Sequence, residues 1–330
     1  MIPIVNWTED AREFPNQSIE MRLADSENVR QRIREVLDAE EVQYCGRGFN
    51  CAHHLAAGGT LHEKVVVRRM LAPVPALERR LEREYSVLVA LRRAGFPNAP
   101  TPVRRLMPGD TDGSPAFVMT YVPGPSLPME PDALREFGRV VKRLHSVEIP
   151  VSMRALYVTP EEAVRRAFMR VCSNLDSVRS AMAPDDWLAA SDLRRRLERN
   201  LPRLEWKAKP PVLVHGDLGD HNVIFSNLTP VLMDWEFACP AEPIFDLMWL
   251  FSGRAGFAAD EQEHVLEGYG GMPRGREQHL PWLRRLALLD MGLWAQSGLA
   301  DIEVGRNAAF FGPKDRAFLE GQVARLHWEA

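Results

Sequence analysis

One stretch constrains this chain more than any other, the residues from Pro211 to Asp246. It contains three short apolar runs, Val212-Leu213-Val214, Val223-Ile224-Phe225 and Val231-Leu232-Met233, separated by polar punctuation. Runs of that length between turn residues are the pattern of buried strands, and Ser226-Asn227-Leu228-Thr229-Pro230 predicts a hairpin joining the last two. Centring the turn on Leu228 sets Asn222 opposite Asp234, since each lies six residues from that centre. Opposed residues in an antiparallel ladder have Cα atoms about 4.5 to 5.5 Å apart. At that separation an amide oxygen and a carboxylate can share one small hard cation such as magnesium.

Asp217 stands five positions before Asn222, closing the run His215-Gly216-Asp217. Phosphoryl transfer requires a carboxylate that orients an attacking hydroxyl, together with oxygen ligands that hold magnesium on the donor phosphates. An aspartate with the ordinary pKa of about 3.9 is a poor base toward an alcohol, so its contribution is positioning, with proton transfer late. The kinase pattern of His-Arg-Asp, four residues, Asn and then a separate Asp recurs here with two changes. Gly216 replaces the Arg, and Asp234-Trp235-Glu236 stands where protein kinases carry Asp-Phe-Gly. With these motifs and the later Pro243-Ile244-Phe245-Asp246-Leu247, the chain resembles the aminoglycoside phosphotransferase and choline kinase-like family of small-molecule kinases, over roughly Val42 to Leu250.

The resemblance implies an α+β chain with a bilobal protein-kinase-like fold, a small β-rich N-lobe and a mostly α-helical C-lobe. Residues 1–120 are expected to form the nucleotide-binding lobe and residues 121–330 the catalytic and substrate-binding lobe. Asp217 is the expected catalytic base, with Asn222 and Asp234 as metal ligands. Asp246 resembles the family's later aspartate, which accepts backbone N–H groups of the catalytic loop and keeps it rigid. Once Asp217 is placed, transfer to an alcohol needs no histidine base, so His215 is expected to brace the loop. His221 and Asp220 occupy positions that vary in the family and receive no role.

Upstream, a helix is predicted from about Glu27 to Glu40 with Ser26 as its N-cap. Strand, turn and strand follow over Val42–Cys45, Gly46–Asn50 and Cys51–Ala57. Gly46, Gly48 and Asn50 would let backbone N–H groups approach phosphate oxygens, and in the family this turn covers the nucleotide; an ordinary hairpin has the same composition. A third strand, Lys64 to Arg69, puts Lys64, Val66 and Arg68 on one face. The kinase template places there a cation for the donor phosphates, paired with a Glu on the next helix, here Leu77 to Arg93. Arg68 and Glu84 fill those positions, although Arg79, Arg80, Arg83, Arg92 and Arg93 also fit a solvated basic edge. Arg in place of Lys keeps phosphate binding but makes it bidentate. Gly95 to Gly109 is Pro-rich without helical period and reads as a connection. Ala116 to Gly124 then reads as a strand entering a hinge, where the resemblance implies Met119 as gatekeeper and the backbone of Thr120 and Val122 as partners of the purine edge. Backbone contacts of this kind leave both ATP and GTP open as donors.

Farther on, Leu134, Phe137, Val141 and Leu144 form the apolar stripe of a helix over Asp132–Ser146. Thr159-Pro160-Glu161-Glu162 predicts a capping box, and Pro184-Asp185-Asp186 opens a helix toward Asn200. Acceptor selection is expected beyond Phe251, where Asp260, Glu261, Glu263 and Glu267, or Asp290 with Trp294, could meet a cationic acceptor or simply face water. Only eleven residues separate Asp234 from Asp246, too few for a peptide-docking platform, so the acceptor is expected to be a small molecule with a hydroxyl group.

With 330 residues, 45% hydrophobic and 26% charged, the chain can bury a core of about two lobes. A net charge of −4 argues against nucleic acid as partner, and no apolar run reaches the roughly 18 residues of a membrane span. Cys45, Cys51, Cys172 and Cys239 are scattered without disulfide or zinc spacing. The expectation is a cytoplasmic enzyme using ATP and Mg, with no membrane, nucleic-acid or obligate protein partner. Two alternatives use the same residues: a nucleotide-binding pseudokinase with a regulatory role, and a metal-dependent hydrolase releasing phosphate without an acceptor.

Overall fold

Ser26 caps the first described helix: its Oγ accepts a hydrogen bond from the Val29 N–H at 3.2 Å. The helix it starts, α1 (Glu27–Leu37), stops three residues earlier than the predicted Glu40, because Asp38 turns left-handed with φ 50° and satisfies the last carbonyls. The structure, a computed structural model, describes residues 25–47, 51–71, 75–252, 257–304 and 313–328.

After α1 come β1 (Glu41–Arg47), β2 (Cys51–Ala57), β3 (Val65–Met70), α2 (Pro75–Arg93), β4 (Pro102–Leu106) and β5 (Ala116–Thr120). The chain continues through α3 (Pro131–Leu144), α4 (Pro160–Val178), α5 (Pro184–Asn200) and the short β6 (Val212–Val214). It then forms β7 (Val223–Ser226), β8 (Thr229–Leu232) and β9 (Cys239–Ala241), followed by α6 (Ile244–Ser252), α7 (Ala259–Tyr269), α8 (Leu280–Glu303) and α9 (Pro313–Ala324). The described residues fall into two compact units, one within Asn16–Pro128 and Asn222–Ala238, the other within Met129–His221 and Cys239–Ala330. The first is rich in strand and the second mostly helical, as the α+β expectation requires.

In the strand-rich unit, five antiparallel strands run in the order β1-β2-β3-β5-β4. Alternation along the strands sends Ala56, Val65, Val67, Ala116 and Val118 to one core, which the Val29, Ile33 and Leu37 stripe of α1 closes. Burying each of those three helical side chains contributes about 1.5 to 3 kcal/mol. The opposite face carries Arg68, paired across the ladder with Phe117, whose ring meets Tyr85 of α2 edge-on at 5.6 Å. The stretch 95–109, expected to be only a connection, contains β4. This is an edge strand: it begins at a proline, carries a bulge between Pro102 and Arg104, and exposes Val103, Arg104 and Arg105, so no period of two betrays it.

The helical unit is built around α8, which packs against α4, α5, α6 and α9 and is buried from Leu286 to Leu293 without a polar face. Every residue of α6 is buried too. Thr159 caps α4 by accepting from the Glu162 N–H at 3.4 Å. The reciprocal half of the predicted capping box is diverted, since the Glu162 carboxylate turns forward to Arg165 and Arg166. Where α3 crosses α7, Gly138 and Gly268 face backbone directly: a Cβ on Gly138 would stand 2.1 Å from the Val265 oxygen, and one on Gly268 1.9 Å from the Arg135 oxygen. Among the described residues no helix is long and apolar enough to cross a membrane.

Candidate active site

The β7–β8 hairpin sets the register of the expected metal ligands, and it differs by one step from the prediction. Asn227 (φ 50°) and Leu228 (φ 62°) are both left-handed, the geometry of a two-residue type I′ turn. The ladder therefore pairs Ser226 with Thr229 and Val223 with Leu232, which brings Met233, and not Asp234, opposite Asn222. The Met233 N–H donates to the Asn222 carbonyl at 2.8 Å. The prediction assumed an odd turn centred on Leu228; the actual loop is even. Asp234 lies just beyond the ladder with φ 62°, a left-handed conformation that costs a non-glycine residue about 1 to 3 kcal/mol. Neighbouring contacts hold it there. Trp235 is fully buried, its Nε1–H donating to the Leu232 carbonyl at 2.9 Å and its ring edge-on to Phe96 at 6.2 Å. Asn98 clamps the hairpin from the other side, Nδ2 donating to the Pro230 carbonyl at 2.8 Å and its own carbonyl accepting from Leu232 N at 2.9 Å.

The bend aims Asp234 at Arg68. Arg68 is buried, with Nε 2.8 Å from Glu84 Oε2, Nη2 2.8 Å from Asp234 Oδ1 and 3.5 Å from Glu236 Oε2. The expected pairing of Arg68 with Glu84 is present, and Asp234 and Glu236 join it. Three carboxylates thus surround one guanidinium. Burial pushes the Glu84 carboxyl up to about 8 and that of Glu236 up to about 7, with Arg68 opposing and the neighbouring acids reinforcing the rise. The same surroundings hold the Arg68 guanidinium well above its ordinary value, Asp234 and Glu84 outweighing the burial that opposes them. His53 faces Arg68 across the β2–β3 ladder, Nε2 lying 3.4 Å from Arg68 Nη1. Burial, with the guanidinium second, lowers that imidazole to about 4, so it is neutral near pH 7.

The carboxylate of Asp234 and the side-chain amide of Asn222 are oxygen donors of the kind a hard divalent ion takes. Among the described residues no cluster of three His, Cys, Asp or Glu gathers as a metal cage. Magnesium needs none: one or two protein oxygens, completed by phosphate and water, are its usual coordination. Asn222 and Asp234, at the base of one hairpin, can supply an amide oxygen and a carboxylate. Of the expected nucleotide residues, Gly46 sits at a bulge of β1 with φ 129°, while Gly48 and Asn50 lie outside the described residues. Met119 is buried in β5. The Thr120 N–H is already spent on the Thr101 carbonyl at 2.9 Å, and its Oγ1 accepts from Thr101 N at 2.9 Å, so the main-chain group Thr120 can present is its carbonyl.

In the helical unit, Asp246 braces the loop that carries Asp217. Its Oδ2 accepts from His215 N and its Oδ1 from Gly216 N, each at 2.8 Å. The His145 Nε2 is 3.0 Å from the same carboxylate and its Nδ1 is 2.8 Å from the Tyr269 hydroxyl. A proton on His145 Nε2 is donated to Asp246 and leaves Nδ1 to accept from the Tyr269 hydroxyl. Burial, with Asp246 adding to it, raises the Tyr269 phenol, which keeps it a donor. The His215 Nδ1 accepts from Asp217 N at 3.4 Å, a bracing role as expected. Beside Asp217, the imidazole of His221 holds the Asp220 carboxyl below its usual range. Of the acidic residues considered for an acceptor, Asp290 is buried and committed to Arg170 at 2.5 Å, and Glu267 pairs with Arg135 at 2.6 Å.

Reasoning from sequence assigned nothing to His53, Glu236, Asn98 or Tyr269. His53 could have been found, because folding the second and third strands about their joining turn already pairs it with Arg68. Glu236 lies two residues beyond Asp234, but nothing local announces that both would bend onto one arginine.

The model of the phosphotransferase enzyme family matches residues 56–282. No curated protein matches the chain. Among solved structures, spectinomycin phosphotransferase in complex with ADP and spectinomycin is similar at a TM-score of 0.68 and 15% identity, covering 94% of this chain and 98% of that one. A choline/ethanolamine kinase family protein from Mesorhizobium loti is similar at 0.61 and 18% identity, covering 88% and 87%. A GDP complex of a mutant aminoglycoside 2'-phosphotransferase is similar at 0.66 and 16% identity, covering 91% and 98%. At these identities the likeness is one of fold.

Proposed function

Because the chain belongs to the phosphotransferase enzyme family, we propose that it moves the γ-phosphoryl group of ATP to a hydroxyl of a small molecule, an aminoglycoside-like antibiotic, an amino alcohol or a related metabolite. The observation that carries this reading is Arg68 held at 2.8 Å by both Glu84 and Asp234, a phosphate cation tied to its helix glutamate and to a metal-ligand aspartate. Arg68 anchors the donor phosphates, and Glu84 keeps its guanidinium oriented. Gly46, Gly48 and Asn50 bring backbone N–H groups to the nucleotide. Met119 bounds the purine, with Thr120 accepting and Val122 donating through the main chain; GTP meets the same groups, and the GDP complex among similar folds supports testing both. Asn222 and Asp234 hold magnesium, which when bound neutralises charge developing on the phosphates. Asp217 orients the acceptor hydroxyl and takes its proton late in the transfer.

Acceptor choice rests on similar folds that carry spectinomycin or belong to choline and ethanolamine kinases, and on the short interval between Asp234 and Asp246. The test is nucleotide consumption by the purified protein over hydroxylated antibiotics, amino alcohols, sugars and nucleosides, with ATP or GTP, with and without Mg. Acceptor-stimulated turnover that needs Mg and is lost in Asp217→Ala supports the proposal. Phosphate release that no acceptor stimulates points instead to a hydrolase.

A further inference from the structure

Arg68 is held at all three of its side-chain nitrogens, and each holder comes from a different part of the fold. Nε meets Glu84 of α2 and Nη2 meets Asp234 at the bend beyond β8, both at 2.8 Å. Nη1 meets His53 of β2, whose Nε2 lies 3.4 Å away. The two side chains share a face of the sheet because His53 and Arg68 are directly opposed in the β2–β3 ladder. On its other flank His53 is opposed to Gly46, where β1 enters the turn expected to cover the nucleotide. A guanidinium only donates, so the contact requires Nε2 to accept and puts the imidazole proton on Nδ1. Burial, with the charge of Arg68 second, keeps the ring neutral near pH 7, as an acceptor must be.

We propose that His53 is a positioning residue for donor binding: as an uncharged acceptor it fixes the plane of the Arg68 guanidinium, so that the remaining N–H of Nη1 meets the donor phosphates in one orientation. This role rests on the assignment of Arg68 as the phosphate cation. The chemistry of the position is selective. A basic side chain opposite Arg68 would repel it, an aliphatic one would leave Nη1 unheld, and a carboxylate would put a fourth acid beside Glu84, Asp234 and Glu236 around a single cation. A neutral imidazole holds the arm without adding charge. The need arises from Arg itself: an ammonium is a point charge with no plane to set, whereas a guanidinium binds phosphate through a rigid fork whose direction matters. Nη1 has a second N–H with no partner among the described residues, and the planarity of the group aims it once His53 takes the first.

The experiment is calorimetric titration of the purified protein with MgATP and, as a probe without phosphates, adenosine. It compares wild type with His53→Ala, His53→Gln, His53→Asn, Arg68→Met, Arg68→Lys and the double variant His53→Ala/Arg68→Lys. His53→Ala is expected to weaken MgATP about 5- to 20-fold, the loss of one long hydrogen bond to a charged group, and to leave adenosine unchanged. The oxygen of a Gln amide stands near the position of Nε2 and that of Asn near Nδ1, so Gln restores MgATP affinity to within about threefold and Asn does not. In the Arg68→Lys background, where no separate arm reaches the ring, His53→Ala has no further effect. His53→Ala binding MgATP as wild type does, while Arg68→Met binds it weakly, overturns the inference and leaves the Arg68 assignment standing. Equal losses of MgATP and adenosine, rescue by Asn as good as by Gln, or full additivity with Arg68→Lys each overturn it too. Should His53→Ala fail to fold, the comparison of Gln with Asn decides by the same rule. An Arg68→Met protein that binds MgATP as wild type does, or a wild type that does not bind MgATP, overturns both the inference and the assignment it rests on.

Discussion

Arg68 Nη2 and Asp234 Oδ1 lie 2.8 Å apart although 166 positions separate them in the chain. The contact joins the third strand of the sheet to the left-handed bend at Asp234, next to the buried Trp235. Arg68→Met would strand Glu84 and Asp234 without their cation, and losing one partner of a buried ion pair costs about 3 to 5 kcal/mol. Urea unfolding reads that loss. The KM for MgATP is expected to rise about tenfold or more, equivalent to 1.4 kcal/mol or above of phosphate binding. Arg68→Lys should fall between, since a single ammonium cannot give separate arms to Glu84 and Asp234.

Asp246→Asn tests the brace under the Asp217 loop. Three donors converge on the carboxylate, and an amide offers one oxygen to them and turns an NH2 group against the rest. The variant is expected to lose about 2 to 4 kcal/mol in urea unfolding. Turnover should fall with the KM for MgATP unchanged.

Stability should fall on acidification through His54, which is fully buried with neither ring nitrogen hydrogen-bonded among the described residues. Burial and then the charge of Arg69 lower it to about 4, with Arg30 acting in the same sense, while Asp25, 3.5 Å from Nε2, opposes them. Tyr44 packs on its ring at 5.6 Å. The unfolded chain takes up this proton near 6.5 and the folded one only near 4, so acid favours unfolding across that window. Wild type is expected to lose up to about 3 kcal/mol relative to His54→Leu between the two values. Parallel thermal melts at several pH values, with no difference in slope, would refute this.

Gly138→Ala and Gly268→Ala should each destabilise by about 1 to 3 kcal/mol, because the added carbon meets carbonyl oxygens of the facing helix that cannot move aside. Gly321 supplies the contrast. It lies in α9 with nothing among the described residues within 4 Å of a Cβ, so Gly321→Ala should stabilise by about 0.5 to 1 kcal/mol. Urea midpoints for the three variants check both signs.

Much of the fold was legible because its signals are local. Ser26 and Thr159 cap helices through hydrogen bonds that span three residues, and the stripe Leu134, Phe137, Val141 and Leu144 needed only a period of 3.6 to be read. β4 was not legible: an edge strand paired on one side can expose Val103, Arg104 and Arg105, so it carries no alternation. The register of β7 and β8 was misjudged by one residue because Asn227-Leu228 lacks the glycine that usually marks a two-residue turn, and Leu228 accepts a left-handed φ.

The sequence by itself determined most of the elements, β4 excepted, and which chemistry-bearing residues sit near each other along the chain, since periodicity, caps and motif spacing act over a few residues. Only the tertiary structure decided partners: Arg68 with Asp234 and Glu236, Asp246 with the backbone of His215 and Gly216, Asp290 with Arg170. Burial is the physical reason. A charge removed from water must find a compensating group wherever packing delivers one, and packing sums contacts from the whole chain.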